Sequence, residues 1–258
     1  MVSSAELQYL KLIELIKDQG GASHPTKGTC LSIFGHTLIL QPEEVPLLQG
    51  RKIFYKGLVG ELRAFMADET TVEGFKKHGC PFWGAWANDD GTLDVDYARL
   101  LHNFNGINQL RDLVYELKKK PDSRKHIISL WDPSSKAKQV PCVISYQWNV
   151  ENGRLNMIWT QRSADVMIGL ASDMFSAWLL NQVIASATGY KAGTVIMNIG
   201  DAHIYKEHFE QVDDYVTGVW TAPALMKPTC KVEGGIFDFT CEVEGYHPDN
   251  IVNFKLLV

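Results

Sequence analysis

Cys142 follows Pro141 in the apolar, strand-like run "VPCVISYQW". A thiol in such a place is either a small buried hydrophobe or, where something favours its thiolate, a nucleophile. Further along, Arg162 and Ser163 in "QRSAD" offer two donors suited to a phosphate, and a guanidinium near a thiol favours the ionised sulfur. Read alone, Arg162 is an exposed charge at a strand end. A second basic pair, Arg124-Lys125 in "KKPDSRKHI", read alone fits a solvated turn better than an anion contact. His203 and Tyr205 stand close together in "GDAHIYKEH", where Asp201 is placed to cap a helix. Asp173 precedes the apolar run "MFSAWLL", so its carboxylate either caps that helix or faces a substrate.

The elements that must hold these groups follow from hydrophobic period and turn chemistry. Residues 4–18 place Leu7, Leu10, Leu12, Ile13 and Ile16 at mostly helical spacing, and Gly20-Gly21 ends the pattern. The segments 55–66 and 106–120 also read as helices, the second stopped by Pro121, and an apolar helix over 173–188 ends at Gly189. Strands are expected in "GTCLSIFGHTLIL", "KHIISLWD", "VPCVISYQWNV", "RLNMIWTQR", "TVIMNIG" and the tail "GGIFDFTCEVEGYHP". Asn152-Gly153 turns one strand onto the next as a hairpin. No repeat or linker-like stretch interrupts this order, which predicts a single domain over 1–258 mixing α and β elements.

With 258 residues, 45% of them hydrophobic, the chain can bury a sizeable core. Its 25 basic and 30 acidic residues give a net charge of -5, against bulk binding to nucleic acid or an anionic membrane. Five cysteines, Cys30, Cys80, Cys142, Cys230 and Cys241, lack C-x-x-C spacing, which predicts neither a disulfide framework nor a zinc cluster and no metal site. A reducing cytoplasmic setting is expected, since the N-terminal segment has no signal-peptide core and no apolar run reaches membrane-spanning length.

Taken in order, "PDSRKHIISLWDP", "VPCVISYQW", "QRSADVMIGL", "NIGDAHIY" and "DFTCEVEGYHP" resemble the thymidylate synthase family. "LSIFGH", "GEL" at 60–62 and the tryptophan pair of "FWGAWANDDG" add to the resemblance, which runs from about residue 26 to about residue 248. It implies an α+β fold with a large mixed β-sheet and flanking helices, and a homodimer whose sheets pack back to back. It also implies one-carbon transfer from 5,10-methylenetetrahydrofolate to C5 of a pyrimidine nucleoside monophosphate.

The residue types suit that chemistry. C5 of a pyrimidine is a weak nucleophile until a thiolate adds at C6, and Cys142 matches the family's nucleophile. By the same resemblance Glu61 relays protons through ordered water, and Tyr97 lines the catalytic centre. Without its neighbours Glu61 would read as a charge on an amphipathic helix. Arg162, Ser163 and the adjoining Gln161 match substrate contacts, Arg124 and Lys125 reach the partner's phosphate, and His203 and Tyr205 bind the sugar 3'-hydroxyl. Trp83, Trp86, Asp165, Ile168 and Gly169 match the folate pocket, with tryptophan as an apolar wall and the carboxylate as an acceptor for the pterin.

Several positions depart from the family pattern. Lys125 replaces a usual arginine and loses its bidentate fork. The arginine usual before the glycine-threonine loop is missing, leaving Lys27 or His24 to meet the phosphate. Synthases acting on deoxyuridylate carry asparagine where this chain has Asp173, and commonly histidine where it has Val143. An amide suits the N3-H donor and O4 acceptor of uracil, whereas a carboxylate that shares a proton suits the N3 acceptor and N4 amino donor of cytosine. Both changes are features of the cytidylate hydroxymethylase branch, in which water rather than hydride captures the methylene on C5. Ala171 and Ser172, smaller than usual, are expected to admit that water, and the tail "NFKLLV" differs from the usual synthase closure. A cytidylate methyltransferase, a synthase acting on deoxyuridylate and a noncatalytic nucleotide-dependent binding protein are the alternatives.

Overall fold

The computed structural model describes residues 3–25, 28–218, 226–233, 235–249, 252 and 254–256. In chain order its elements are α1 (Ser4–Gln19), β1 (Gly21–Ser23), β2 (Cys30–Leu40), α2 (Tyr55–Met66), α3 (Val72–Lys77), α4 (Tyr97–His102) and α5 (Gln109–Lys119). They continue with β3 (Ile127–Ser129), β4 (Val143–Glu151), β5 (Arg154–Asp165), α6 (Ala171–Thr188), β6 (Lys191–Tyr205), α7 (Phe209–Thr217), β7 (Lys227–Val232) and β8 (Phe239–Glu244). The fold is α+β. A six-stranded sheet runs in the order β1-β2-β6-β5-β4-β3, parallel between β5 and β6 and antiparallel elsewhere. The crossover from β5 to β6 is α6, as a parallel pair requires.

Period-two alternation decides which side chains the helices cover. Across β4, β5, β6 and β2 the lateral row Tyr146, Trp159, Met197 and Leu38 is buried beneath the helices. The next row, Gln147, Ile158, Ile196 and Ile39, lies on the opposite face, where Ile39 is exposed within one chain. Helix α6 is buried nearly all round, which accounts for its lack of a polar face. Gly189 ends it in the left-handed conformation (φ 85°), the usual glycine stop. Asn152 (φ 50°) and Gly153 (φ 73°) turn β4 onto β5, the positive-φ pair that a tight hairpin needs.

Local expectations fail where long-range pairing overrides them. Leu7 lies on the outer side of α1, while Glu6 is buried and accepts from the backbone N–H of Gln49 and Gly50. Asp201 caps no helix: β6 runs on through His203 to Tyr205 because those residues pair with β2. Cys230 and Cys241 lie opposite each other across the β7–β8 hairpin and form a disulfide, a correction to the cysteine reading that depends on strand register. Among the described residues, no helix is long and apolar enough to cross a membrane.

Candidate active site

A cavity of about 470 Å³ opens between α2, the C-terminal ends of β5 and β6, and the first turns of α6. Cys142 lies on its wall, just before β4 begins. Four hydrogen bonds hold the segment around it. The Cys142 N–H donates to the Tyr97 hydroxyl (3.0 Å), and the Cys142 carbonyl accepts from the Arg162 N–H (2.8 Å). The Arg162 guanidinium donates to the carbonyls of Pro141 (3.0 Å) and Val140 (3.2 Å) and lies over Trp131. Arg162 is therefore exposed yet anchored, with its side chain held along the segment that presents the thiol.

Three carboxyl groups, Glu61, Asp165 and Asp173, line the same space, and two of them are raised to near neutrality. Glu61 projects from α2, which can approach the 78–80 backbone closely because Gly60 has no side chain; a Cβ there would lie 2.4 Å from the His78 carbonyl. Its Oε1 accepts from the Trp83 indole N–H at 2.7 Å. Burial nonetheless raises the Glu61 pKa to about 7, against the Trp83 bond and with a smaller push from Asp173. Asp173 lies in the first turn of α6, and its Oδ2 accepts from Gln161 Nε2 at 2.8 Å. Burial raises this carboxyl to about 7 as well, opposed by the Gln161 bond. Two acids that titrate near neutrality beside a thiol can exchange protons with a substrate at physiological pH.

Asp173 does not cap its helix. A π-helical turn, Val166–Leu170, precedes α6, and Asp165 caps that turn by accepting from the N–H groups of Met167 (3.0 Å) and Ile168 (3.2 Å) through Oδ1. The insertion carries Ile168 and Gly169 into the cavity wall, and unusual turns of this type often mark functional sites. Burial raises the Asp165 pKa, while His203 and His208 lower it.

Trp83 and Trp86 lie on a short 3-10 turn, with ring centroids 5.4 Å apart, and form the outer wall of the cavity. They are half-buried rather than core. On the far side His203 shares a proton between Nδ1 and Asp201 Oδ1 (2.7 Å), which orients the ring, and its edge meets Tyr205. Burial raises the pKa of Tyr205, so its hydroxyl keeps its proton and can donate.

Gln161, Ser163, Tyr97 and the groups above thus line one cavity. Arg124 and Lys125 do not: both are exposed on the loop after α5 and lie outside the cavity of their own chain. Lys27 lies outside the described residues, while His24 Nδ1 is within hydrogen-bond distance of Thr29 Oγ1 (3.2 Å). Ala171 and Ser172, expected to admit water, do not line the cavity; Ser176, one turn on, does. Sequence reasoning missed Tyr146 and Trp159, aromatic strand residues indistinguishable from core until the cavity beside them is seen. It also missed Leu256, which brings the C-terminal tail into the wall.

A thiol beside the mixed sheet, two near-neutral carboxyls on helices and an aromatic wall share one cavity, an arrangement suited to covalent acid–base chemistry. The thymidylate synthase family model matches residues 7–258, and the chain belongs to that family. Its members transfer a one-carbon unit from methylenetetrahydrofolate to C5 of a pyrimidine nucleotide. The cavity suits such a donor: Trp83, Trp86 and Ile168 offer apolar surface to a flat ring, and Asp165 keeps Oδ2 for an amino group.

Proposed function

We propose that the protein is a cytidylate 5-hydroxymethylase, acting on dCMP or CMP. The observation that carries this reading is the Asp173 carboxyl, which lines the cavity, receives Gln161 on one oxygen and titrates near neutrality. In that state one oxygen donates and the other accepts, the pattern that complements N3 and the N4 amino group of cytosine. Val143 beside the nucleophile is buried and apolar, so no polar side chain from that position supports a uracil O4.

Cys142 adds to C6 and pushes electrons towards C5. Methylenetetrahydrofolate, when bound, supplies the one-carbon unit at the oxidation level of formaldehyde. Glu61 accepts and returns protons through water around the ring, and Tyr97 holds the Cys142 backbone in place. Water then adds to the methylene left on C5, Cys142 departs from C6, and 5-hydroxymethylcytidylate and tetrahydrofolate result. Arg162 and Ser163 bind the phosphate, and His203 and Tyr205 meet the sugar 3'-hydroxyl. Capture of the same carbon by hydride would give the methyl product of a cytidylate methyltransferase.

The working form is a homodimer. On this sheet face Ile39 is exposed and Ile158 and Ile196 are half-buried within one chain, and Arg124 and Lys125 stand outside their own cavity. Back-to-back packing of two such faces would bury the isoleucines and bring this basic pair to the partner's phosphate. Arg124→Ala and Cys142→Ser proteins, each defective in folate-dependent release of label from C5 of dCMP, are expected to recover release when mixed. Random exchange yields about a quarter of the wild-type number of intact sites. Full activity in a monomer would contradict the shared site. A wild-type protein that binds dCMP but releases no label would be a nucleotide-dependent binding protein instead.

A further inference from the structure

We infer that Trp159 and Gln161 form a positioning relay that decides which oxygen of the Asp173 carboxyl carries its proton, and thereby which base the site accepts. The inference rests on the reading of Asp173 as the residue that meets the pyrimidine edge. Neither Trp159 nor Gln161 needs to touch the reacting atoms for this role.

The relay is built from groups whose hydrogen-bonding roles cannot be exchanged freely. Trp159 on β5 is buried, and its indole N–H, a donor only, reaches Gln161 Oε1 at 3.0 Å. Gln161 is also buried, and with its oxygen taken its Nε2 donates to Asp173 Oδ2 (2.8 Å) and to the Ser163 carbonyl (3.1 Å). Turning the amide over would set its NH2 against the indole N–H and its oxygen against the Ser163 carbonyl. Two buried mismatches of this kind hold the amide one way round.

That orientation makes the Asp173 carboxyl asymmetric. Oδ2 always faces an N–H and keeps the character of an acceptor, so the proton of the neutral carboxyl settles on Oδ1. Cytosine is then accepted with its amino group on Oδ2 and its ring N3 on the Oδ1 hydroxyl. Uracil in the same pose presents O4 to an oxygen with no proton and N3-H to one that has one. The titratable groups facing Asp173 are Glu61 from α2, Tyr97 from α4 and Tyr146 from β4, each of which feels its charge. Both tyrosines are held protonated by burial, leaving Glu61 as the acid coupled to Asp173 near neutrality.

Trp159→Phe keeps the ring and removes the N–H, which frees the amide to turn. The ratio of kcat/KM for dCMP over dUMP is expected to fall about tenfold. Since the Gln161 bond holds the Asp173 pKa down, its loss is expected to move the alkaline limb of the dCMP profile to higher pH. Gln161→Leu should produce the same two changes, at least as large, and serves if the phenylalanine variant does not fold. A folded variant with a lower melting temperature but an unchanged base ratio and pH limb would overturn the inference and leave the relay structural. A wild-type protein with no preference for cytosine would overturn the reading of Asp173, and the inference with it.

Discussion

Cys142→Ser is expected to lower folate-dependent release of the C5 proton by about a thousandfold or more, while the protein stays folded and binds nucleotide. A hydroxyl ionises far above a thiol, so serine cannot add to C6 at neutral pH without a dedicated base beside it. The substitution is nearly isosteric, and the bonds that shape the segment come from the backbone: Cys142 N–H to Tyr97 and Arg162 N–H to the Cys142 carbonyl. Both survive in the variant. A melt and a calorimetric titration with dCMP separate loss of chemistry from loss of structure. Turnover near that of the wild type would remove Cys142 as nucleophile.

Asp173→Asn should lower turnover on cytidylate and raise the relative turnover on deoxyuridylate. An amide keeps a donor and an acceptor, but unlike the neutral carboxyl it cannot pass its proton to cytosine N3 as Cys142 adds at C6, which leaves cytosine mismatched in the transition state. The mismatch costs about 1–3 kcal/mol in transition-state binding, or roughly tenfold to a hundredfold in the ratio of specificity constants. Stability should respond with a definite sign. The folded protein raises this carboxyl to about 7, so it favours the protonated form. Its contribution to stability is therefore full below the ordinary carboxylate pKa of about 3.9 and is lost as pH rises through about 7. The ligand-free asparagine variant should gain melting temperature relative to the wild type between pH 5 and pH 8. An unaltered base ratio would leave Asp173 without a role in recognition, whatever the melt shows.

Much of this was legible in the sequence, and the residues show why the remainder was not. Helix 55–66 and the Asn152-Gly153 hairpin were read at their observed positions because period and turn chemistry are local signals. The helix expected from residue 173 begins at Ala171, after a π-helical turn that no local pattern announces; Asp165 caps that turn while Asp173 lines the cavity. The extension of β6 through "DAHIY" depends on pairing with β2, far away in the chain. So does the disulfide, which needs Cys230 and Cys241 brought opposite each other by the register of a hairpin.

The cavity was legible mainly by resemblance. Composition alone leaves Trp83, Glu61 and Cys142 as a core aromatic, a helix charge and a small hydrophobe. Their convergence, and above all the hydrogen bonds that tie Trp83 to Glu61 and Trp159 through Gln161 to Asp173, join segments whose side-chain directions no local pattern gives. A tryptophan N–H is invisible as a functional group until its acceptor is known.

The central claim is hydroxymethyl transfer to a cytosine nucleotide, and product mass tests it most directly. The protein is incubated with methylenetetrahydrofolate and dCMP, CMP or dUMP in turn, and the nucleotide and folate products are identified. The expected result is a cytidylate bearing a hydroxymethyl group, with tetrahydrofolate released unoxidised and little product from dUMP. A methylated nucleotide accompanied by dihydrofolate, or product from dUMP alone, would contradict it.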